Sequence, residues 1–364
     1  MSDYVSLLLR MLEAYSPSGK EESMADLLVD ELKSRGVFVR KDEAGNVIAE
    51  VGSGKPHVLL CGHMDTVPGG IPVRKEGGRI YGRGAVDAKG PLGAMMGGML
   101  EFASSKSEGK VTLVACVEEE SNGRGVKHFV KSPVISTIDC GIFGEPCALQ
   151  RITVGYRGRV LFSLRCKTKG GHAGAPWLFV NAIDEGYALW QRLRERWTRN
   201  RVFRSKFYSV SASLTKIRGG EYYNVVPSTC DMSIDVRVPI GVGCETILSE
   251  ADEIIESFSS ERGVEVSRRV GDRLEPYEAD EQSLLVQTLK RTIREETGLD
   301  AVLTRKTGSG DMSAVGPLLK GAVVTYGPGN PVVEHTSEEH IKEAEFLFGV
   351  RIFNRTLEIL SSLY

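Results

Sequence analysis

The sequence predicts an α/β protein with a mainly parallel, helix-flanked sheet and an inserted α+β domain. Through residues 1–154, short apolar runs alternate with helical patterns, as strands and crossover helices do in a parallel sheet. Through residues 155–272, the strand-like segments instead alternate apolar and polar side chains, which is typical of an antiparallel sheet. The first pattern returns in residues 273–364. We therefore predict that 1–154 and 273–364 form one domain and that 155–272 is inserted into it.

The elements of the predicted large domain follow from hydrophobic periodicity. Predicted helices are 4–15, 21–34 and 281–297, and predicted strands lie near Val47, Val58, Val111 and Ile142 and at 322–326. The run from Val111 to Val117 is apolar throughout, which indicates a strand covered on both faces.

The inserted segment contains five predicted elements. In the order strand, helix, strand, strand, helix they are 159–167, 180–196, 209–217, 228–239 and 244–258. A basic block, Arg192–Lys206, begins near the end of the first helix and contains Glu195 as its single acidic residue. A solvated surface and a binding surface both explain this block.

Composition restricts the class of protein. A length of 364 residues and 41% hydrophobic content allow two domains with their own cores. A net charge of -2 gives no general electrostatic basis for binding nucleic acid, and no apolar stretch reaches the length of a membrane span. The 7 cysteines show no disulfide framework, and the N-terminus shows no secretory signal, so we expect a cytoplasmic protein.

A histidine and an aspartate mark the end of one predicted strand. His63 and Asp65 follow the apolar run 57–61, and their spacing places both side chains on the same face of an extended chain. This arrangement indicates a metal-binding imidazole whose ring is oriented by a neighbouring carboxylate. A structural hydrogen bond also explains the pair when it is considered alone.

Other predicted element ends carry metal-ligand side chains as well. Glu118–Glu120 close the run 111–117, and Glu145 ends another apolar run. Asp87 precedes a helix rich in small residues, and His335 follows a turn-rich segment. Two histidines and three carboxylates suit a pair of divalent ions that share one carboxylate. The mixed nitrogen and oxygen set favours zinc or cobalt over magnesium, which prefers oxygen ligands.

The ordered set of motifs resembles one family of enzymes. Its blocks are His63-Met64-Asp65-Thr66-Val67-Pro68, Gly84-x-x-Asp87-x-Lys89-Gly90, Glu119-Glu120, Gly144-Glu145-Pro146, Gly171-His172-Ala173-Gly174 and Glu334-His335-Thr336. They are similar to those of the di-zinc aminoacylase and carboxypeptidase family, which includes acetylornithine deacetylase, succinyl-diaminopimelate desuccinylase and glutamate carboxypeptidase. Any single block is a weak signal, whereas the ordered set is specific.

The resemblance implies a role for each metal ligand. Asp87 would bridge the two ions. His63 and Glu145 would complete one site, and Glu120 and His335 would complete the other. Asp65 would orient the ring of His63.

The resemblance also implies that Glu119 is the general base, which takes a proton from the attacking water and returns it to the leaving amine. A run of three glutamates leaves an alternative register of one residue. We assign the base and the ligand to Glu119 and Glu120 because Ser121–Gly125 then matches the family's continuation. The peptide bond Asp87–Ala88 is expected to be cis.

Three polar residues of the inserted segment match family positions. The resemblance implies that this domain mediates dimerisation and that His172 reaches the partner's active site, where it hydrogen-bonds the developing oxyanion. Asn224 is similar to a residue that binds the tetrahedral oxygen, and Arg237 to one that binds the substrate carboxylate. A surface salt bridge is the alternative role for Arg237.

The loop Gly308-Ser309-Gly310-Asp311 bears on the substrate. It resembles the branch of the family that cuts acyl-lysine or acyl-ornithine, or releases lysine or ornithine from a small acidic amino-group carrier protein of the LysW type. Its glycines allow main-chain N–H groups to approach a carboxylate, and Asp311 would face a cationic amine. The basic block Arg192–Lys206 would suit an acidic carrier.

We therefore predict a metal-dependent amide hydrolase of lysine or arginine biosynthesis. Its substrate would be a carrier-linked lysine or ornithine or, for a deacetylase, the Nα-acyl derivative. A general aminoacylase, dipeptidase or carboxypeptidase that uses the same site is the alternative. A non-catalytic binding member of the fold is disfavoured because all five ligands and Glu119 are present.

Overall fold

The computed structural model describes residues 2–105, 107–199 and 205–364. These residues form two compact units. The large unit comprises Met1–Gly155, Ala279–Arg305 and Ala314–Tyr364, and the small unit comprises Tyr156–Glu278 and Lys306–Ser313. The large unit therefore contains chain from both sides of the small unit.

The large unit contains a mixed sheet with a parallel centre. Its strands lie in the order Phe38–Lys41, Val47–Ser53, Gly109–Cys116, His57–His63, Cys140–Phe143, Val323–Thr325 and Arg151–Tyr156, with Val302–Lys306 paired to the last. The four strands from Gly109–Cys116 to Val323–Thr325 are parallel. Val47–Ser53 pairs antiparallel with Phe38–Lys41 and with Gly109–Cys116, and Arg151–Tyr156 pairs antiparallel with Val323–Thr325. The carboxyl ends of the central strands therefore meet at one edge of the sheet.

Helices surround this sheet. Those of the large unit are Ser2–Glu13, Glu22–Ser34, Lys89–Ser104, Arg124–Phe129, Leu284–Thr297 and Glu343–Leu363. The start of Leu284–Thr297 is capped by the Ser283 hydroxyl, and its end by Gly298, whose positive φ suits a residue without a side chain. Short 3-10 turns span Pro133–Thr137, Gly316–Leu318 and Pro331–Val333, a one-turn helix spans Met312–Val315, and a three-stranded sheet joins Arg74–Glu76, Arg79–Tyr81 and His340–Lys342.

Glycines allow two buried helices to approach closely. Lys89–Ser104 packs against Glu343–Leu363, and a Cβ atom added at Gly98 would lie only 2.5 Å from Cβ of Phe353. Gly98 therefore allows the close distance between these two helices.

The small unit is an antiparallel sheet with two helices. Its strands lie in the order Ser211–Gly219, Thr229–Val238, Gly158–Lys167 and Glu265–Leu274, and its helices are Ala182–Thr198 and Cys244–Arg262. Alternate residues of Gly158–Lys167 are buried, and they form a core with both helices that includes Phe162 and Trp197. A separate two-stranded pair joins Gly171–His172 to Val225–Val226, a 3-10 turn spans Pro176–Leu178, and a short strand spans Tyr277–Glu278.

The predicted α/β class with a helix-flanked sheet is confirmed, and its parallel strands are confined to the centre. Val47–Ser53 and His57–His63 are joined by only three residues, 54–56. Parallel strands need a crossover of a dozen residues or more, so these two strands run in opposite directions, on either side of Gly109–Cys116. Among the described residues, no helix combines the length and the apolar character needed to cross a membrane.

One strand of the small unit was not predicted. Glu265–Leu274 pairs with Gly158–Lys167 at an edge of the sheet. It carries five charged side chains, and each of its residues is at least partly exposed. Charges on an edge strand discourage pairing with other chains, but they also weaken the apolar alternation by which a strand is recognised.

The basic block predicted from the sequence is partly neutralised. Arg192 and Arg196 form ion pairs with Glu261 and Glu250, at 2.8 and 3.5 Å. Arg199 pairs with Glu195 one turn earlier in its helix, at 3.2 Å. Arg201 and Arg204 of the block lie outside the described residues.

Candidate metal centre

The candidate site lies at the carboxyl ends of the central parallel strands. His63 is the last residue of its strand, Glu118–Glu120 follow Gly109–Cys116, and Glu145 follows Cys140–Phe143. These three strands are neighbours, so their ends bring the imidazole and the carboxylates to one edge of the sheet.

The first group of ligand atoms comprises His63, Asp87 and Glu145. Nε2 of His63 lies 3.1 Å from Oδ1 of Asp87 and 3.7 Å from Oε1 of Glu145. His63 is buried, which opposes its charged form, but the hydrogen bonds with Asp65 and Asp87 outweigh burial and raise the pKa of His63 well above its usual value.

The second group comprises Asp87, Glu120 and His335. Nε2 of His335 lies 3.1 Å from Oδ2 of Asp87 and 2.9 Å from Oε1 of Glu120. Asp87 therefore presents one oxygen to each group. The hydrogen bond with Asp87 and the charge of Glu120 raise the pKa of His335 to about 9, while burial raises the pKa of Glu120 to about 7.

These groups fit a pair of transition-metal ions. In each group the ligand atoms all lie within 4.8 Å of one another. Atoms that bind one zinc ion tetrahedrally at about 2.0–2.1 Å lie roughly 3.3 Å apart, which is close to the observed separations. The donor set of one histidine, one carboxylate and one shared carboxylate at each position matches the chemistry of zinc sites with nitrogen and oxygen ligands.

Asp65 is completely buried and contacts more than one part of the site. Nδ1 of His63 lies 3.0 Å from the main-chain oxygen of Asp65 and 3.3 Å from its Oδ1. The two carboxylate oxygens of Asp65 accept the main-chain N–H groups of Glu119 and Glu120, at 3.0 and 3.1 Å. Asp65 thus connects the orientation of His63 to the turn that carries the adjacent glutamates.

The three consecutive glutamates have different surroundings. The Glu118 carboxylate accepts hydrogen bonds from Arg124 and Asn122, on the side of the turn that is exposed. Glu120 belongs to the second ligand group. Burial, followed by the charges of Asp87 and Asp65, raises the pKa of Glu119, although His63 opposes the shift.

The loop that presents Asp87 is held by a buried ion pair that sequence reasoning did not identify. Glu339 is fully buried, and its Oε1 accepts the main-chain N–H groups of Val86 and Asp87, at 3.0 and 3.1 Å. Its Oε2 accepts a hydrogen bond from Arg83, at 2.7 Å. The peptide bond Asp87–Ala88 is cis, as the resemblance implied.

The small unit brings together two further pairs of predicted residues. Nδ1 of His172, which is exposed, lies 3.3 Å from the main-chain oxygen of Asn224. The Arg237 guanidinium donates to Asp235 at 2.8 Å and to the Ser309 hydroxyl at 3.2 Å. Arg237 therefore makes the predicted alternative, a salt bridge, and also contacts the predicted loop.

The loop Gly308-Ser309-Gly310-Asp311 is attached to the rest of the small unit by a buried arginine. Arg157 donates to the main-chain oxygen of Thr307 at 2.8 Å, and its own N–H donates to that of Gly308 at 3.1 Å. Its Nη1 also donates to Ser209 and Ser211, which orders the start of an edge strand. Sequence reasoning missed Arg157 because its acceptors are mainly main-chain groups that no motif identifies.

Comparison with known proteins identifies the family. The chain matches the family described as Peptidase family M20/M25/M40 over residues 59–359. It is 30% identical over 354 residues to the LysW-lysine/LysW-ornithine hydrolase of Sulfurisphaera tokodaii, with 97% of this chain and 94% of that one covered. A protein of Pyrobaculum aerophilum that carries the same name in provisional form is 33% identical over 358 residues, with 98% of each chain covered.

Solved structures share the fold. The aminopeptidase PepT from Bacillus cereus superposes with a TM-score of 0.84 at 20% identity, covering 99% of this chain and 98% of that one. The Bacillus subtilis YXEP protein, described as a dinuclear metal binding peptidase from the M20 family, gives a TM-score of 0.78 at 13% identity, covering 100% and 99%. Because the family match covers most of the chain, this protein belongs to the M20/M25/M40 peptidase family and is a metal-dependent hydrolase.

Proposed function

We propose that this protein hydrolyses the amide that joins lysine or ornithine to a LysW-type amino-group carrier protein. The observation that carries the proposal is the pair of ligand groups that share Asp87 at the carboxyl edge of the sheet. The name of the Sulfurisphaera tokodaii relative, which aligns over nearly the whole chain, supports the carrier-linked substrate. The released amino acid would serve lysine or arginine biosynthesis in the cytoplasm, the location expected from the sequence.

We propose that the site holds two zinc ions, for which cobalt can substitute. His63 and Glu145 would bind one ion, Glu120 and His335 the other, and Asp87 both. When bound, the ions would polarise the amide carbonyl and lower the pKa of a water molecule.

Glu119 would be the general base and then the general acid. The Asp65 carboxylate binds its main-chain N–H, so the backbone from which its side chain projects is fixed. A carboxyl whose pKa is raised by burial is a stronger base, and it can take a proton from the attacking water and return it to the nitrogen of the leaving amine. The bond between the carbonyl carbon and that nitrogen then breaks, and the amino acid leaves with a free amine.

The small unit would bind the substrate and form a homodimer, as a lid and dimerisation domain inserted in the catalytic chain. Arg237, already next to Ser309, would bind a substrate carboxylate, and Asn224 would bind the tetrahedral oxygen. His172 would hydrogen-bond the developing oxyanion of the partner's site. Within the loop Gly308-Ser309-Gly310-Asp311, Asp311 would face the cationic amine of lysine or ornithine.

The test is turnover of three amides by the zinc-loaded protein: LysW-linked lysine, Nα-acetyl-lysine and Nα-acetylornithine. Cleavage of the carrier conjugate alone supports carrier-based biosynthesis. Cleavage of the free acetyl amino acids, without the conjugate, identifies a deacetylase instead. If the protein cleaves none of these three amides but cleaves dipeptides, the proposal is refuted and the protein is a dipeptidase or general aminoacylase.

A further inference from the structure

The connection between the first two helices, Ser16–Glu21, contacts the loop that follows His63. We refer to this connection as the brace segment. The buried Ser16 hydroxyl donates to the main-chain oxygen of Met64 at 2.7 Å. The N–H of Thr66 donates to the main-chain oxygen of Ser16 at 2.9 Å. The brace segment is therefore bonded to chain on both sides of Asp65.

Ser18 of the brace segment binds the Asp65 carboxylate directly. Its hydroxyl donates to Oδ2 of Asp65 at 2.6 Å. The same oxygen accepts the N–H of Glu120, and the other oxygen accepts the N–H of Glu119. A rotation of this carboxylate would release both amides, so Ser18 fixes the acceptor on which the position of the glutamate turn depends.

Glu21 binds the residue before that turn. Its Oε1 accepts the N–H of Glu118 at 3.0 Å and the N–H of Gly19 at 2.9 Å, and the side chain is only 5% exposed. Glu118 has a φ of 55, in the left-handed region that residues with a side chain rarely adopt. The surrounding structure must hold such a conformation, and Glu21 supplies a buried acceptor for its N–H.

We propose that Ser18 and Glu21 are positioning residues of the catalytic site, acting through Asp65 and Glu118 to align the carboxylates of Glu119 and Glu120. The inference rests on the proposed function for the roles of Glu119 and Glu120. Neither Ser18 nor Glu21 belongs to the two candidate ligand groups. Their effect is to keep the base and a metal ligand side by side on one turn.

A purely structural role makes a different prediction. If the brace segment only stabilises the fold, its loss lowers the melting temperature without changing how the folded protein binds metal. If it positions the turn, its loss changes the metal environment and the turnover number in protein that is still folded. The absorption bands of the cobalt-loaded protein report on that environment without any substrate.

The test compares Ser18→Ala and Glu21→Ala with the unmodified protein. We expect kcat to fall about 10- to 100-fold with KM changed less than about threefold, and cobalt affinity to fall by about tenfold or more with shifted absorption bands. Ser18→Thr keeps the hydroxyl and Glu21→Gln keeps a carbonyl acceptor, so both are expected to restore the bands and most of kcat.

Two control variants distinguish an effect on the position of the glutamate turn from a general loss of stability. Glu31→Gln alters another buried glutamate, which pairs with Arg10 and Arg35. Ser34→Ala removes a serine hydroxyl that donates to the main-chain oxygen of Glu31, away from the site. Both are expected to leave the cobalt bands unchanged. If Ser18→Ala does not fold, Ser18→Cys retains the volume and donates only weakly, so it gives the same comparison.

Unchanged cobalt bands and unchanged kcat in the Ser18 and Glu21 variants would overturn the inference. Failure of the proposed function has a different signature. In that case the unmodified protein does not cleave the carrier conjugate, while the cobalt bands still show whether the brace segment controls the metal environment.

Discussion

His335 has a carboxylate on each side, and this placement determines how metal binding should depend on pH. Its hydrogen bond with Asp87 and its proximity to Glu120 raise the pKa of His335 to about 9. The ring is therefore protonated before metal binds at neutral pH, and it must lose that proton to become a ligand. We expect the apparent zinc affinity to rise with pH, about tenfold per unit from this proton between about pH 6 and 8, and to level off above about pH 9.

Calorimetry in buffers of different ionisation enthalpy measures the released protons. His335→Ala is expected to release about one proton fewer at pH 7.5. His128→Ala is the matched control, because His128 is exposed and contacts Glu43 rather than the site. A binding enthalpy that does not depend on the buffer would contradict the prediction.

The two neighbouring glutamates Glu118 and Glu119 are distinguished by their contacts. Glu118 is bonded to Arg124 and Asn122, whereas burial raises the pKa of Glu119 beside the ligand groups. We expect Glu119→Gln to lower kcat by about 10²- to 10⁴-fold with zinc still bound, the range lost with a general base. Glu118→Gln is expected to retain activity within about tenfold, since it weakens only the turn.

Turnover and zinc content of the two variants are measured together. The reverse order of activities would show that the base is Glu118 and that the assignment along the three glutamates is displaced by one residue.

The sequence predicts the candidate ligand side chains because they end apolar runs, precede a helix rich in small residues or follow a turn-rich segment. It does not identify the residues that hold the loops in place. Glu339 accepts the N–H of Val86, 253 residues away, and Ser18 donates to Asp65, 47 residues away. These bonds form only in the tertiary fold, and they mostly involve main-chain groups. No residue spacing in the sequence therefore predicts them.

At the scale of elements, the contact between Lys89–Ser104 and Glu343–Leu363 predicts that alanine substitution at two glycines changes stability in opposite directions. A Cβ at Gly98 would lie 2.5 Å from Cβ of Phe353 and 2.9 Å from N of Asn354, where the neighbouring backbone cannot easily move. A Cβ at Gly93 would make ordinary contacts of 3.4 Å with Met11 and Phe346. We expect Gly98→Ala to lower the stability of the large unit by about 1–3 kcal/mol, the cost of overpacking.

Gly93→Ala is the matched control for this prediction. It gains up to about 1 kcal/mol from the higher helix propensity of alanine, and no close contact opposes the gain. Thermal unfolding of both zinc-loaded variants gives the comparison. A melting temperature for Gly98→Ala equal to that of Gly93→Ala would show that the helices can separate at low cost.

The strands with clear apolar patterns could be predicted from the sequence, whereas the charged edge strand Glu265–Leu274 could not. Gly109–Cys116 is buried along almost its whole length, so its run of apolar residues reveals it. Glu265–Leu274 is recognisable mainly by its pairing with Gly158–Lys167, a relation between segments about 100 residues apart. At one edge of the large sheet, the short connection between Phe38–Lys41 and Val47–Ser53 is too short for a parallel pair, so their antiparallel pairing follows from connection length.

At the scale of the whole molecule, the proposed homodimer makes each active site a product of two chains. The ligand groups and Glu119 belong to the large unit, and His172 belongs to the small unit. If His172 serves the partner's site, Glu119→Gln and His172→Ala each inactivate the homodimer but damage different halves of each site. A mixed dimer of the two variants then contains one site with both defects and one site with neither.

Mixing the two inactive variants is therefore expected to restore activity. Random exchange of equal amounts places half of the chains in mixed dimers, and one of the two sites in each is intact, so recovery should approach about a quarter of the unmodified activity. Light scattering establishes the oligomeric state, and turnover is followed after mild unfolding and refolding of the mixture. Mixing His172→Ala with itself is the control. No recovery in a mixture that demonstrably exchanges subunits would mean that His172 acts within its own chain or outside catalysis.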